Sequence, residues 1–367
     1  MNPFMRQVLA LASSCRGYAS PNPAVACILV KKGKIIARGV HRKTGEAHAE
    51  VIALNKAGSR ARGATLYINL EPCCHYGRTP PCTAQIIRHG VKEVYAAIRD
   101  PNPLVNGGGI KELRRAGIPV HMGLGKEQAG SINESYLKYI TRGKPFVHLK
   151  TALSLDGRIA AADGSSRWIS NPSARQYGHF LRNIYDAILI GKGTLLNDNP
   201  HLNVRYINNP RQPLRIILTR KIDFSFSDFQ LMNIYRSPGK ILIVADEQYI
   251  NFGTIREFEE GNVTILAVPS VDNRLCLDIL LRYLASHDLI SVLVEGGSFT
   301  ITEFLKQNLA DKLTLVICPL LLGDAALPLF HDTAINSMER ALKFRKTEFK
   351  KIKDNLIVNA YPLFPEV

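Results

Sequence analysis

Apolar positions along this chain recur now as short strand-like runs, now at helical spacing, and the two patterns alternate. Val25–Val30, the segment Lys31-Lys-Gly-Lys34 and Ile35–Gly39 predict two strands joined by a tight glycine turn. Ala47–Ala57 predicts a helix stopped by Gly58, Ala64–Leu70 a strand, Cys82–His89 a helix stopped by Gly90, and Val91–Ile98 a further strand. Asp100-Pro-Asn-Pro103 forces a loop, after which Ile110–Ala116 reads as a short helix ended by Gly117 and Ile118–His121 as a last edge strand. Such alternation predicts an α/β sandwich.

Around Thr141-Arg-Gly-Lys-Pro145 the pattern restarts. Phe146–Leu153, Ala187–Gly191, Leu214–Leu218, Lys240–Val244, Val263–Val268 and Ile290–Val294 predict strands, with helical stretches between several of them. A mainly parallel sheet with crossover helices follows. Phe224–Phe229 reads as a loop, and Lys343–Lys353 as a terminal strand with a solvated basic face. The two expected domains are 1–144 and 145–367, each long enough to bury its own core in a chain of 367 residues.

Composition narrows the classes. No apolar run approaches the roughly 18–20 residues that span a bilayer, and no repeat or biased tract marks a fibrous or low-complexity chain. Val8-Leu9-Ala10-Leu11-Ala12 behind one Arg loosely mimics a secretion signal but suits the first amphipathic helix of a cytoplasmic domain. Residues 1–144 carry 22 Lys+Arg against 8 Asp+Glu, a net +14 of the chain's +16; residues 145–367 carry 25 against 23. A basic half beside a neutral half points to a phosphorylated substrate or a nucleic acid. A genome-wide lysine drift would not stop near residue 144.

Seven cysteines, three of them within residues 73–82, suggest metal binding or catalysis in a reducing compartment. Catalytic zinc takes three His/Cys-type ligands and keeps one position open for water, and helix N-termini favour thiolates. His48, Cys73 and Cys82, each at a predicted helix start or strand end, meet both demands. Glu50 is expected to turn away from the metal and face the water, as the group that shuttles protons to a leaving amine. Cys74 and His75 are chemically competent rivals as ligands. Cys15 and Cys27 read as buried small hydrophobes.

His-x-Glu followed by Pro-Cys and a second Cys resembles the zinc nucleobase deaminases. The long spacing Cys73-Cys-His-Tyr-Gly-Arg-Thr-Pro-Pro-Cys82, with Pro21-Asn-Pro23 and Asp100-Pro-Asn-Pro103, resembles the deaminase half of the bifunctional riboflavin-biosynthesis deaminase–reductases. Lys150–Arg158, Gly164–Ile169, Tyr185–Thr194, Asp198–Leu202 with Arg205, and Val294–Thr300 resemble that family's reductase half. Cys74, Ala26 and Thr219-Arg220 depart from the family, which more often has Ser, Gly and Asp-Ser there. The resemblance implies a cytidine-deaminase-like three-layer αβα domain and a dihydrofolate-reductase-like α/β domain. It further implies deamination of a phosphoribosylaminopyrimidine and then NADPH-dependent reduction of the ribose to ribityl.

Carried over by residue, the resemblance gives Zn2+ on His48, Cys73 and Cys82, and pyrimidine contacts from Asn22, His41, His75 and Arg78. NADPH contacts fall on Ala152, Trp168, Thr194, Asp198, Gly297, Ser298, Phe299, Thr300 and the stretch on to Glu303. The second substrate falls to Lys150, Ser166, Arg182, Leu202, Arg205 and Glu295. Lys150 and Asp156 are expected at the end of the first strand, polarising the sugar carbonyl, and Arg220 is placed to meet a 2′-phosphate. Val294-Glu-Gly-Gly-Ser-Phe-Thr300 also makes physical sense alone, as a strand, a close glycine turn and a phosphate-cradling helix start. The absence of Gly-x-Gly-x-x-Gly argues against an ordinary Rossmann domain.

A homo-oligomer is expected, with the apolar stretch Leu313–Leu322 as its interface, and neither a membrane nor a nucleic acid as partner. Two rivals stand beside this reading: a nucleic-acid deaminase of the transfer-RNA type, favoured by the +14 charge, and a non-catalytic RNA-binding protein with a structural zinc. The second requires Cys74 or His75 to close the metal shell.

Overall fold

The computed structural model describes residues 2–76, 80–333 and 335–365, so the expectation for Arg78 lies outside the described residues. Two compact units divide between Lys144 and Pro145.

In the first unit α1 (Pro3–Ser14) starts where Asn2 Oδ1 accepts from the Phe4 and Met5 amides, with Pro3 preset for the first turn. Its Met5, Val8, Leu9 and Ala12 are buried. β1 (Ala26–Lys31) and β2 (Lys34–Val40) form a hairpin about Lys32-Gly33, both with positive φ. α2 (Ala49–Ala57), β3 (Thr65–Leu70), α3 (Cys82–Arg88), β4 (Glu93–Ile98), α4 (Gly108–Arg115) and β5 (Val120–Met122) follow. The sheet order is β2-β1-β3-β4-β5, antiparallel through β3 and parallel beyond. α1 packs on β1 and β3 with α5 (Lys126–Ile132) beside it, while α2 packs on β1 and β2 and meets α3, which meets α4. α6 (Glu134–Arg142) closes the unit against α5.

The second unit is built on one nine-stranded sheet. Its strands are β6 (Phe146–Ser154), β7 (Ala187–Gly191), β8 (Leu214–Leu218), β9 (Ile241–Asp246), β10 (Val263–Val268), β11 (Ser291–Val294), β12 (Lys312–Cys318), β13 (Lys343–Ile352) and β14 (Asn355–Leu363). The order is β10-β9-β8-β7-β11-β6-β12-β14-β13, parallel except where β14 and β13 join antiparallel at one edge. Helices cover both faces, as a buried parallel sheet requires. Leu280 and Leu284 of α11 (Leu277–Ser286) and Ile301 and Phe304 of α12 (Ser298–Lys306) pack against Leu149, Leu189 and Val292 on one face. Phe229 of α9 (Phe226–Leu231) and Phe258 of α10 (Phe252–Glu260) pack against Ile188, Ile217 and Ile243 on the other. α7 (Pro172–Ile184), capped by Asn171 Oδ1 on the Ala174 amide, and α8 (Lys192–Asp198) complete the unit.

Three expectations are corrected. Residues 226–231 are helical because Ser225 caps the helix through the Asp228 amide and the aromatics face the core. The supposed interface Leu313–Leu322 is in large part β12, an interior strand between β6 and β14, so its apolar character serves this chain's own core. Lys150 stands in the middle of β6, and Asp156 beyond it accepts from Ser154 Oγ and from the Leu322 and Gly323 amides, pinning a loop. No described helix is long and apolar enough to cross a membrane.

Candidate functional sites

Two helix starts and one strand end make the first site. His48 is the N-cap of α2, makes no side-chain capping hydrogen bond, and turns its ring towards Cys82 of α3. Cys73 follows β3, and Cys82 opens α3. His48 Nδ1 lies 3.3 Å from Cys82 Sγ and 3.5 Å from Cys73 Sγ, and the Cys82 amide donates to Cys73 Sγ at 3.4 Å. All three ligand atoms lie within 4.8 Å of one another, and no further His, Cys, Asp or Glu joins them among the described residues. One imidazole and two thiols, with no fourth protein ligand beside them among the described residues, fit zinc of the catalytic type, which leaves one position to water. Cys74 turns its Sγ towards Leu104 O at 3.8 Å, outside this group.

Charge is unevenly shared in the cluster. Hydrogen bonds from Cys82 and His48 pull the Cys73 thiol down to about 4, whereas the same bond to Cys73 and burial raise that of Cys82. The bond to Cys73 raises His48. Glu50 stands outside the ligand triangle. It is 3% exposed, hydrogen-bonded with Cys82, and pushed up to about 7 by burial and by the negative charge of Cys73. That is the range in which a carboxyl both takes and gives a proton at neutral pH.

Beside the cluster the His41 ring lies 5.3 Å from that of His48. His41 Nδ1 meets the carbonyl of Ala47 at 3.2 Å and must donate to it; Nε2 therefore accepts from Asn22 Nδ2 at 3.1 Å. Burial lowers the His41 pKa and keeps the ring neutral. Asn22 is thus oriented with its carbonyl oxygen left over. Sequence reasoning missed the support: Asn69 and Asn133 hold the amide and carbonyl of Ala24 and fix the Pro21–Pro23 turn. These contacts span 45 and 109 residues, and no local pattern announces them. His75 keeps a buried Nδ1 with no hydrogen-bond partner.

In the second unit a cavity of about 550 Å³ opens at the C-terminal ends of β7, β8 and β11, where parallel α/β sheets place their ligands. Thr194, Asp198, Ser166, Gly297, Ser298, Phe299, Thr300 and Glu303 line it, as do Thr219 and Arg220. Ser166 Oγ donates to Asp198 at 2.9 Å, and Ser298 Oγ is buried without a hydrogen-bond partner at the start of α12. A Cβ on Gly296 would lie 2.6 Å from Thr300 Cβ, which explains the glycine at that turn. Ala152 and Trp168 do not line the cavity: Trp168 is 67% exposed with the Arg175 guanidinium 4.3 Å from its ring, and Ala152 packs against the buried cluster of Ala174, Val316, Cys318 and Ile357. Arg220 is steadied by Tyr249 and Asn273.

Next to the glycine turn, Glu295 is clasped by Arg182 (Nε at 3.0 Å) and Lys150 (Nζ at 3.4 Å). Burial alone would raise its pKa, but the two cations outweigh burial and hold it at about 2. His179, unnoticed in the sequence, accepts the Arg205 amide at 3.2 Å, and burial with Arg182 and Arg205 lowers it to about 4. Arg205 is exposed. The Leu202 side chain belongs to the core cluster rather than to a surface.

One unit carries a catalytic-type zinc constellation on a deaminase-like sheet and the other a reductase-like parallel sheet with a cavity at its strand ends, which together define a bifunctional pyrimidine deaminase–reductase. Residues 2–98 match the family model described as the cytidine and deoxycytidylate deaminase zinc-binding region, and 145–358 the RibD C-terminal domain. Riboflavin biosynthesis protein RibD of Aquifex aeolicus is 39% identical over 97% of this chain and 96% of its own, and that of Escherichia coli strain K12 is 37% identical over 95% and 96%. The structure of Acinetobacter baumannii RibD superposes with a TM-score of 0.85 at 36% identity, covering 98% of both chains. The chain belongs to the RibD family of bifunctional riboflavin-biosynthesis enzymes. A transfer-RNA-type deaminase and a non-catalytic zinc protein are thereby set aside.

Proposed function

We propose that the first unit hydrolytically deaminates 2,5-diamino-6-ribosylamino-4(3H)-pyrimidinone 5′-phosphate and that the second reduces the ribose of the resulting aminouracil to ribityl with NADPH. A similar structure is that of the Thermotoga maritima diaminohydroxyphosphoribosylaminopyrimidine deaminase/5-amino-6-(5-phosphoribosylamino)uracil reductase. The observation that carries the reading is the His48–Cys73–Cys82 triangle with Glu50 buried against it.

His48, Cys73 and Cys82 would hold the zinc, which would supply a water whose pKa is lowered towards about 7. Glu50 takes a proton from the water as its oxygen bonds to the ring carbon. It then returns that proton to the exocyclic nitrogen, the C–N bond breaks and ammonia leaves. Neutral His41 fixes Asn22 so that its carbonyl accepts from the pyrimidine amine, and His75 and Arg78 complete the ring and phosphate contacts.

In the second unit, of the dihydrofolate-reductase-like type, NADPH supplies a hydride. The α12 amides at Gly297–Thr300 would hold its phosphates, Thr194 and Asp198 its riboses, and Arg220 its 2′-phosphate. Arg182 and Arg205 hold the substrate phosphate, with Lys150, Ser166 and Glu295 completing the pocket. A cytoplasmic homo-oligomer belongs to the same reading. The seven free cysteines accord with a reducing compartment, and the oligomer rests on family resemblance alone.

Purified protein assayed separately for ammonia release and for NADPH oxidation tests it. Both activities are expected, and ammonia release should vanish on chelation. Zinc-replete protein that releases no ammonia from this substrate refutes the first half. Deamination without NADPH consumption refutes the second.

A further inference from the structure

We propose that Glu71 is a positioning residue for the first site, capping α4 from outside and so holding the Pro72–Cys74 segment that presents Cys73. The inference rests on the deaminase reading of that site. Helix α4 begins at Gly107, whose left-handed φ of 86° and missing side chain leave it no cap of its own. Glu71, 3% exposed, replaces it. One carboxylate oxygen accepts the Asp100 and Gly107 amides at 3.2 and 3.1 Å, and the other the Ile110 amide at 3.1 Å. A negative group at a helix start is also favoured by the helix dipole.

The clamp matters because of what α4 rests on. A Cβ on Gly109 would stand 2.1 Å from Pro72 O, and one on Gly108 2.8 Å from Cys74 Sγ. The first turn of α4 therefore lies directly on the segment carrying Cys73, and only glycines allow that approach. The Thr83 amide of α3 donates to Cys73 O at 3.2 Å. The Cys73 segment is thus held by two helices, one of them fastened by Glu71, whose carboxylate is spent on backbone amides. Outer partners of this kind typically govern metal affinity by about ten- to a hundredfold.

The test uses the full chain with Glu71→Gln and, independently, Gly109→Ala, which lifts α4 while leaving the carboxylate intact. Zinc alone is titrated in competition with a chelator, kcat and KM are measured for ammonia release, and NADPH oxidation in the same chain reports on the other unit. Both variants should bind zinc about ten- to a hundredfold more weakly, lose kcat rather than raise KM at partial zinc, regain kcat in excess zinc, and oxidise NADPH normally. Where Glu71→Gln fails to fold, Gly109→Ala carries the test. Wild-type zinc affinity in folded variants, with only the melting temperature lowered, overturns the proposal. Wild-type zinc binding and ammonia release test the deaminase reading separately; the Glu71 inference is read only from the ratio of variant to wild type.

Discussion

Gly39→Ala is a one-methyl perturbation whose consequence follows from geometry. Gly39 lies on β2 where α2 crosses it, and a Cβ there would stand 1.8 Å from Ala49 O and 2.9 Å from the Ala53 amide nitrogen. Real Cβ contacts stay beyond 3.0 Å, so the helix start would have to withdraw by about 1.2 Å. His48 is the cap of that helix and Glu50 its second residue, so both move with it. Zinc ligation tolerates about 0.2 Å, a sixth of the required shift, and misplacing a catalytic group by about 1 Å costs on the order of a hundredfold. Overpacking itself costs about 1–3 kcal/mol, small enough for the unit to remain folded. Ammonia release should fall about a hundredfold and zinc affinity with it, while NADPH oxidation stays at the wild-type rate. Gly39→Ala protein that binds zinc normally and deaminates within about threefold of wild type would refute the reasoning that this crossing sets the ligand geometry.

Glu50→Gln should retain zinc, since Glu50 is outside the ligand triangle, yet lose about 10²–10⁴-fold in ammonia release; metal analysis beside the assay decides it, and loss of zinc would count against the assigned role. Glu295→Ala strands Lys150 and Arg182, whose side chains are only 17% and 18% exposed, and should cost the second unit about 3–5 kcal/mol in denaturant unfolding; a change under about 1 kcal/mol contradicts the clasp. His179 stays neutral in the fold down to about 4, so below its unfolded value of 6.5 the unfolded chain binds a proton that the fold refuses. Stability should therefore be full above pH 6.5 and fall by roughly 2–3 kcal/mol as pH drops towards 4. His179→Asn should flatten that slope, and an unchanged slope would exclude His179 as its source.

Much of the first site was legible because its ligands sit at helix starts and strand ends, where short spacings carry the geometry. The strands of the second unit were legible for a similar reason: Ala187–Gly191 and Leu214–Leu218 are aliphatic runs of strand length with no helical face. What stayed hidden was non-local. Nothing near Ala24 announces Asn133, and nothing in Lys312–Cys318 says that β14 will cover it. Phe224–Phe229 alternates aromatic and polar residues like an irregular segment, and only the cap at Ser225 and the partner Phe258 across the core make it helical. Helices α5 and α6 begin after Gly125 and Asn133, and neither has a side-chain cap to signal its start.

The two sites share one electrostatic design with opposite signs. Around His48 the fold gathers a depressed thiol and a buried carboxyl whose proton it holds to about 7, an arrangement that favours a cation placed among them. Around Glu295 it gathers Lys150 and Arg182, with His179 kept neutral beside them by burial and by Arg182 and Arg205, so the one carboxylate is outnumbered by its cations and the surplus favours an anion. A buried charge left unmatched is costly, and a protein retains such an imbalance where a ligand of the opposite sign completes it. The basic excess of residues 1–144 adds long-range attraction for the same phosphorylated substrate, a contribution that salt screens while leaving the short contacts in place. Raised ionic strength should therefore weaken capture of the substrate more than its turnover, because the groups that move protons are buried and those that draw the phosphate in are exposed.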